Sequence, residues 1–115
     1  MNDEQYKRYR KLRTEEIAVL FCKRDLAKNM HFLVNGSTGK HYKVSVYRDT
    51  GKIECSCPDY KHNARVQETL CKHSLFLATK IFPNIEHTFY KRRYFTRDEV
   101  PLVIKFYKSF KETNS

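Results

Sequence analysis

Four residues in one stretch carry metal-donor atoms at spacings that suit a single ion: Cys55-Ser56-Cys57, then thirteen residues, then Cys71-Lys72-His73. In a strand, residues two apart point to one face, so Cys55 and Cys57 would offer both sulfurs together. In a helix, residues two apart diverge by about 200°, so Cys71 and His73 cannot share a mid-helix face. Cys71 is therefore expected at or just before a helix start, with His73 in the first turn. Free amides and the positive dipole end favour a thiolate there. Three thiolates and one imidazole make a closed Cys3His set, which suits tetrahedral Zn2+ and leaves no open position for a water, so the site reads as structural. Its binding energy, on the order of 10 kcal/mol, would become folding energy. The formal net charge of +10 would fall by only one unit on loading. The plain alternative is three reduced thiols lying near a histidine.

The elements that must position these donors follow from pattern. His31-Phe32-Leu33-Val34 reads as a strand, residues 35–39 carry turn chemistry, and Tyr42, Val44 and Val46 alternate with Lys43, Ser45 and Tyr47. A second turn, Arg48-Asp49-Thr50-Gly51, leads into Lys52-Ile53-Glu54-Cys55-Ser56-Cys57, which completes a three-stranded meander. Residues 58–70 form a polar connection with room for a short helix around 64–69. Residues 71–82 read as a helix ended by Pro83. A last helix starts near Thr96 or Asp98, where Thr96-x-x-Glu99 resembles a capping box. It carries Val100, Val103, Ile104, Tyr107 and Phe110 on one face. Residues 3–30 hold neither Gly nor Pro and read as one long helix or two short ones, with Ile17-Ala18-Val19-Leu20-Phe21-Cys22 as an apolar helix face. The expected fold is α+β: an N-terminal helical segment over 1–30, a zinc-stabilised antiparallel meander plus helix over 31–83, and a basic linker with an amphipathic helix over 84–115.

The stretch Tyr42-Lys43-Val44-Ser45-Val46 through Gly51, then Cys55-Ser56-Cys57-Pro58-Asp59-Tyr60, then Cys71-Lys72-His73-Ser74-Leu75 resembles a SWIM-type zinc finger over residues 40–80. The resemblance implies a β-β-α zinc fold with Cys55, Cys57, Cys71 and His73 as ligands and a role in binding DNA or proteins.

Charge says most about partners. The chain has 115 residues with 23 Lys and Arg against 13 Asp and Glu, and its 40% hydrophobic content includes 8 Tyr and 8 Phe. Such a balance favours a polyanion, and a core this thin calls for a staple such as a metal. By segment the net charge is +3 over 1–30, +1 over 31–60 and +6 over 61–115. Polyanion contact is therefore expected from the finger helix and the C-terminal region. Arg8, Arg10 and Arg13 at one end, with Lys72, Lys91, Arg92, Arg93 and Arg97 towards the other, are the candidate phosphate contacts, and Tyr6, Tyr9 and Tyr94 interleave with them. The leading reading is non-enzymatic nucleic-acid binding, DNA before RNA. The alternative is a protein-interaction adaptor or subunit of a nucleoprotein or virion assembly. No H-E-x-x-H, deaminase or nucleophile-elbow motif points to an enzyme. The sequence shows no secretory start and no apolar run long enough to span a bilayer. A reducing intracellular compartment, nuclear, cytoplasmic or virion-associated, is expected. Cys22 is expected to be a buried thiol. Residues 36–40 look superficially like a phosphate loop but have the wrong spacing and read as a turn.

Overall fold

The computed structural model describes residues 18–35, 39–57, 71–82 and 92–114. Four strands, Val19–Arg24 (β1), Met30–Asn35 (β2), His41–Val46 (β3) and Ile53–Cys55 (β4), pair in chain order as an antiparallel sheet. Two helices follow, Lys72–Ile81 (α1) and Val100–Asn114 (α2). The period of two is plain on β2, where Met30, Phe32 and Val34 are buried and their neighbours are half-buried. The same face continues through Cys22 of β1, Val44 and Val46 of β3, and Ile53 and Cys55 of β4. Leu75, Leu77 and Ala78 of α1 and Val100, Val103 and Tyr107 of α2 complete the buried core. Phe32 stands 5.9 Å from the Phe106 ring and 6.3 Å from Tyr107, the latter edge to face. Among the described residues no helix is long and apolar enough to cross a membrane.

The α+β class, the meander and both later helices agree with the sequence pattern; the stretch from Val19 onward does not. Where a helix was expected, β1 pairs with β2 and makes the sheet four-stranded. A bulge between Val19 and Phe21 shifts the register, after which Cys22 faces Phe32 in the core. The turn that follows contains no glycine. Asp25 builds it instead, its carboxylate accepting from the Asn29 backbone N–H (2.9 Å) and side-chain amide (3.2 Å), while Lys28 takes a left-handed φ of 65°. Strand pairing overrode helix propensity, and an unpunctuated turn hid it. Residues 1–17, which carry the rest of that helical expectation, lie outside the described residues, as does the short helix expected around 64–69.

Two local devices fix the far side of the sheet. The β3–β4 turn closes with Gly51 N–H donating to Tyr47 O (2.7 Å) and Tyr47 N–H to Lys52 O (2.9 Å). The segment before α2 then lies along the free edge of β4, with Ile53 N–H donating to Arg93 O (2.8 Å) and Phe95 N–H to Gly51 O (2.7 Å). Gly51 needs both its left-handed φ of 73° and its missing side chain, because a Cβ there would lie 1.9 Å from Phe95 O. At the start of α2 one half of the expected capping box is present: the Glu99 carboxylate accepts from Thr96 N–H (2.8 Å), and also from the Arg92 guanidinium (2.6 Å). Burial pushes the Glu99 carboxyl up, but these donors outweigh it and hold the group below the ordinary carboxylate range.

A Gly51→Ala substitution should cost about 2 kcal/mol or more in thermal denaturation. Gly39→Ala, also at positive φ (81°) but with nothing within 4 Å, should cost only about 1–2 kcal/mol. Equal losses would show that the Phe95 contact does not matter. Because the folded pKa of Glu99 is depressed, its contribution to stability is present above the ordinary value of about 4.3. It is lost as pH falls through the lower folded value. Glu99→Gln keeps an acceptor for Thr96 but removes the charge, so melting temperature against pH should be flatter on the acid side. An unchanged acid limb would refute this account.

Candidate metal centre

β4 is only three residues long, yet it is hydrogen-bonded on both edges, by β3 and by the Arg93–Phe95 backbone. That double clamp holds Cys55 opposite Val44. Just past the strand, Ser56 ties the chain back to β3: its N–H donates to Lys43 O (3.0 Å) and its hydroxyl accepts from Lys43 N–H (2.9 Å). Ser56 is exposed while Cys55 and Cys57 on either side are buried, the strand-like alternation the C-x-C spacing calls for.

The second pair comes from the start of α1. Cys71 is the N-cap, with extended backbone (φ −75°, ψ 170°), and its Sγ accepts from Ser74 N–H at 3.5 Å. A thiol thus takes the place usually held by a Ser or Asp oxygen. His73 sits in the first turn, 2% exposed, with Nδ1 3.9 Å from Cys55 Sγ. The Tyr42 ring lies over it at 4.7 Å between centroids. One ligand atom from each of Cys55, Cys57, Cys71 and His73 lies within 4.8 Å of all the others.

This donor set fits a tetrahedral ion. Metal–sulfur bonds of about 2.3 Å and metal–nitrogen bonds of about 2.0 Å place neighbouring donors roughly 3.5–3.8 Å apart. The thiols also need a cation for electrostatic reasons. Hydrogen bonding to Cys57 and Cys71, together with burial, pushes the Cys55 thiol far up. Burial raises Cys71 too, but donation from Cys55, Cys57, His73 and Ser74 outweighs it and holds Cys71 well below the ordinary thiol value. Negative charge on several thiols packed this closely and buried calls for a positive centre among them.

Of the other residues singled out in the sequence, Cys22 is fully buried in the core, and burial raises its thiol pKa. Arg92 is paired with Glu99 at 2.6 Å. Arg93 is half-buried, its Nε without a partner among the described residues. Arg97 is exposed. Lys72 opens α1, its side chain outside the described set, and Arg8, Arg10, Arg13 and Lys91 lie outside the described residues. The roles of Tyr42, Ser56 and Ser74 around the donors carried no sequence signal beyond adjacency to the motif. His31, uninformative on its own, joins Asp25 (3.0 Å) to Ser45 (2.8 Å). Ser45 is only 4% exposed, so this chain fastens the first hairpin to β3 and does not present a nucleophile.

A strand pair and a helix N-terminus converging on a buried Cys3His set define a small metal-stabilised finger. Residues 32–82 match the family model of the SWIM zinc finger, a span that contains all four donors. The match runs from Phe32 in β2 to just past α1, while outside it β1 extends the sheet and α2 packs on its buried face. No curated protein and no solved structure matches the chain.

Purified protein should bind one divalent metal ion per chain by elemental analysis, and Cys55→Ser or Cys71→Ser should abolish it. Cys22→Ala should retain a full equivalent, since that thiol lies outside the cluster. Loss of metal in the Cys22 variant, or its retention in the Cys71 variant, would show that another donor set is in use.

Proposed function

We propose that this is a zinc-stabilised, non-enzymatic nucleic-acid-binding protein that takes DNA before RNA. Zinc is the ion that a Cys3His set selects by donor softness and tetrahedral shape. With four protein donors it has no vacant position at which to activate water, which supports a structural role. Cys55, Cys57, Cys71 and His73 would hold it, joining β4 to α1.

The observation that carries the binding reading is the excess of positive charge, +10 on 115 residues. The described carboxylates do little to offset it: Glu99 pairs with Arg92, Glu54 with Lys52, and Asp25 faces His31. An adaptor role through the C-terminal helix has less support. Val100, Val103 and Tyr107 are buried against the protein's own sheet, and Ile104 and Phe110 pack beside them. Residence in a reducing intracellular compartment accords with four cysteines that are all free.

Anisotropy titrations of metal-loaded protein with labelled duplex DNA, single-stranded DNA and RNA, from about 50 to 200 mM salt, test the reading. Binding should weaken steeply with salt and be tightest for duplex DNA. Failure to bind any of the three at about 50 mM salt would overturn it.

A further inference from the structure

The end of the sheet remote from the metal donors holds a cluster of cations that the sequence does not single out. A cavity of about 270 Å3 is lined by Arg24, Lys28, Arg48, Lys108 and Ile104, with no acidic residue among the described residues of its wall. A larger one of about 810 Å3 shares Arg48 and Ile104 with it, adds Arg97, and holds one acid, Asp49. The cations converge from separate elements: the end of β1, the β1–β2 turn, the β3–β4 turn and α2. Strand register puts Met30 opposite Val46 and Val46 opposite Ile53 at this end. The chain reaches Cys55 and Cys57 only as it runs towards the other end.

These groups are held in place by the fold. Arg48 N–H donates to Asn29 Oδ1 (3.0 Å), which ties the two turns together. Lys28 sits in a turn that the Asp25 carboxylate already braces. Arg24 lies over the Tyr107 ring at 4.9 Å, and its Nε is buried with no hydrogen-bond partner among the described residues. Among the described residues, none of Arg24, Lys28, Arg48 and Lys108 pairs with a carboxylate. Cations held this close repel one another, and an anion between them relieves the repulsion.

We propose that this cleft, formed by Arg24, Lys28, Arg48 and Lys108 and continued by Arg97, is where the protein grips the phosphates of a nucleic-acid backbone. The proposal rests on the nucleic-acid reading and moves the contact away from the metal site. The contact is independent of base sequence. The cleft offers no free aromatic face, because Arg24 occupies that of Tyr107, and the nearby Asn29 carbonyl oxygen is already engaged by Arg48 N–H. The metal site then acts at a distance, holding the sheet that carries both turns.

The test compares two triple variants of equal charge change, measured with duplex DNA across the same salt range. Lys28→Glu/Arg48→Glu/Lys108→Glu alters three exposed cleft residues, and Lys40→Glu/Lys43→Glu/Lys80→Glu alters three exposed residues elsewhere. Metal content and melting temperature report that both are folded. The cleft variant should lose at least about tenfold more affinity than the other, and its slope of log K against log salt should shrink by about 3. Equal losses in the two variants would overturn the cleft while leaving nucleic-acid binding in place. Absence of binding by the unaltered protein would overturn the nucleic-acid reading itself.

Discussion

Three thiols and an imidazole, all nearly inaccessible to water, are brought within 4.8 Å of one another. A protein core accepts such a cluster only if something compensates it, since each thiolate created there raises the cost of the next. A single divalent ion would resolve the conflict and would cross-link β4 to α1. Thirteen residues, 58–70, separate Cys57 from Cys71 in the chain, and an ion held by all four donors would close that loop. The rest of the fold is arranged to keep the donors in place. β3 and the Arg93–Phe95 backbone hold the two edges of β4, Ser56 pins the loop, and Tyr42 covers His73.

The site was more legible in the sequence than its surroundings because its geometry is local. C-x-C on a strand and C-x-H at a helix start each have one arrangement that lets both donors converge, and the structure adopts both, down to Cys71 as the N-cap. The capping box at Thr96 and Glu99 was legible for the same reason. What could not be read depends on partners distant in sequence. β1 is a strand because β2 lies beside it, and its turn is built by a carboxylate and a left-handed lysine with no glycine to mark it. The closeness of Gly51 to Phe95 likewise joins residues 44 positions apart, and nothing local announces it.

The misread segment also bears on function. Had residues 19–30 been helical, Arg24 and Lys28 would have stood on a solvated face with no fixed relation to Arg48. As a hairpin, they are carried to the same end of the sheet as the β3–β4 turn, and the Asn29 link between the turns fixes their spacing. A charge count by segment gave the finger's strands little part in polyanion binding. The fold changes that by bringing Arg24, Lys28 and Arg48 of the weakly basic segments beside Lys108 and Arg97 of the strongly basic one.

The division of labour that results follows from electrostatics. A metal finger in which three thiolates surround a divalent ion carries net negative charge at its centre, and it is buried, so it is a poor place to receive phosphate. The cations gather at the turns that follow β1 and β3, where the described wall of the smaller cavity holds no carboxylate and Arg24 is backed by an aromatic ring. Stability and the proposed recognition would thereby fall to different residues of one four-stranded sheet, with Cys55 two residues along β4 from Ile53, the position nearest the turns. The proposed phosphate contact would then depend on a bound metal only through folding.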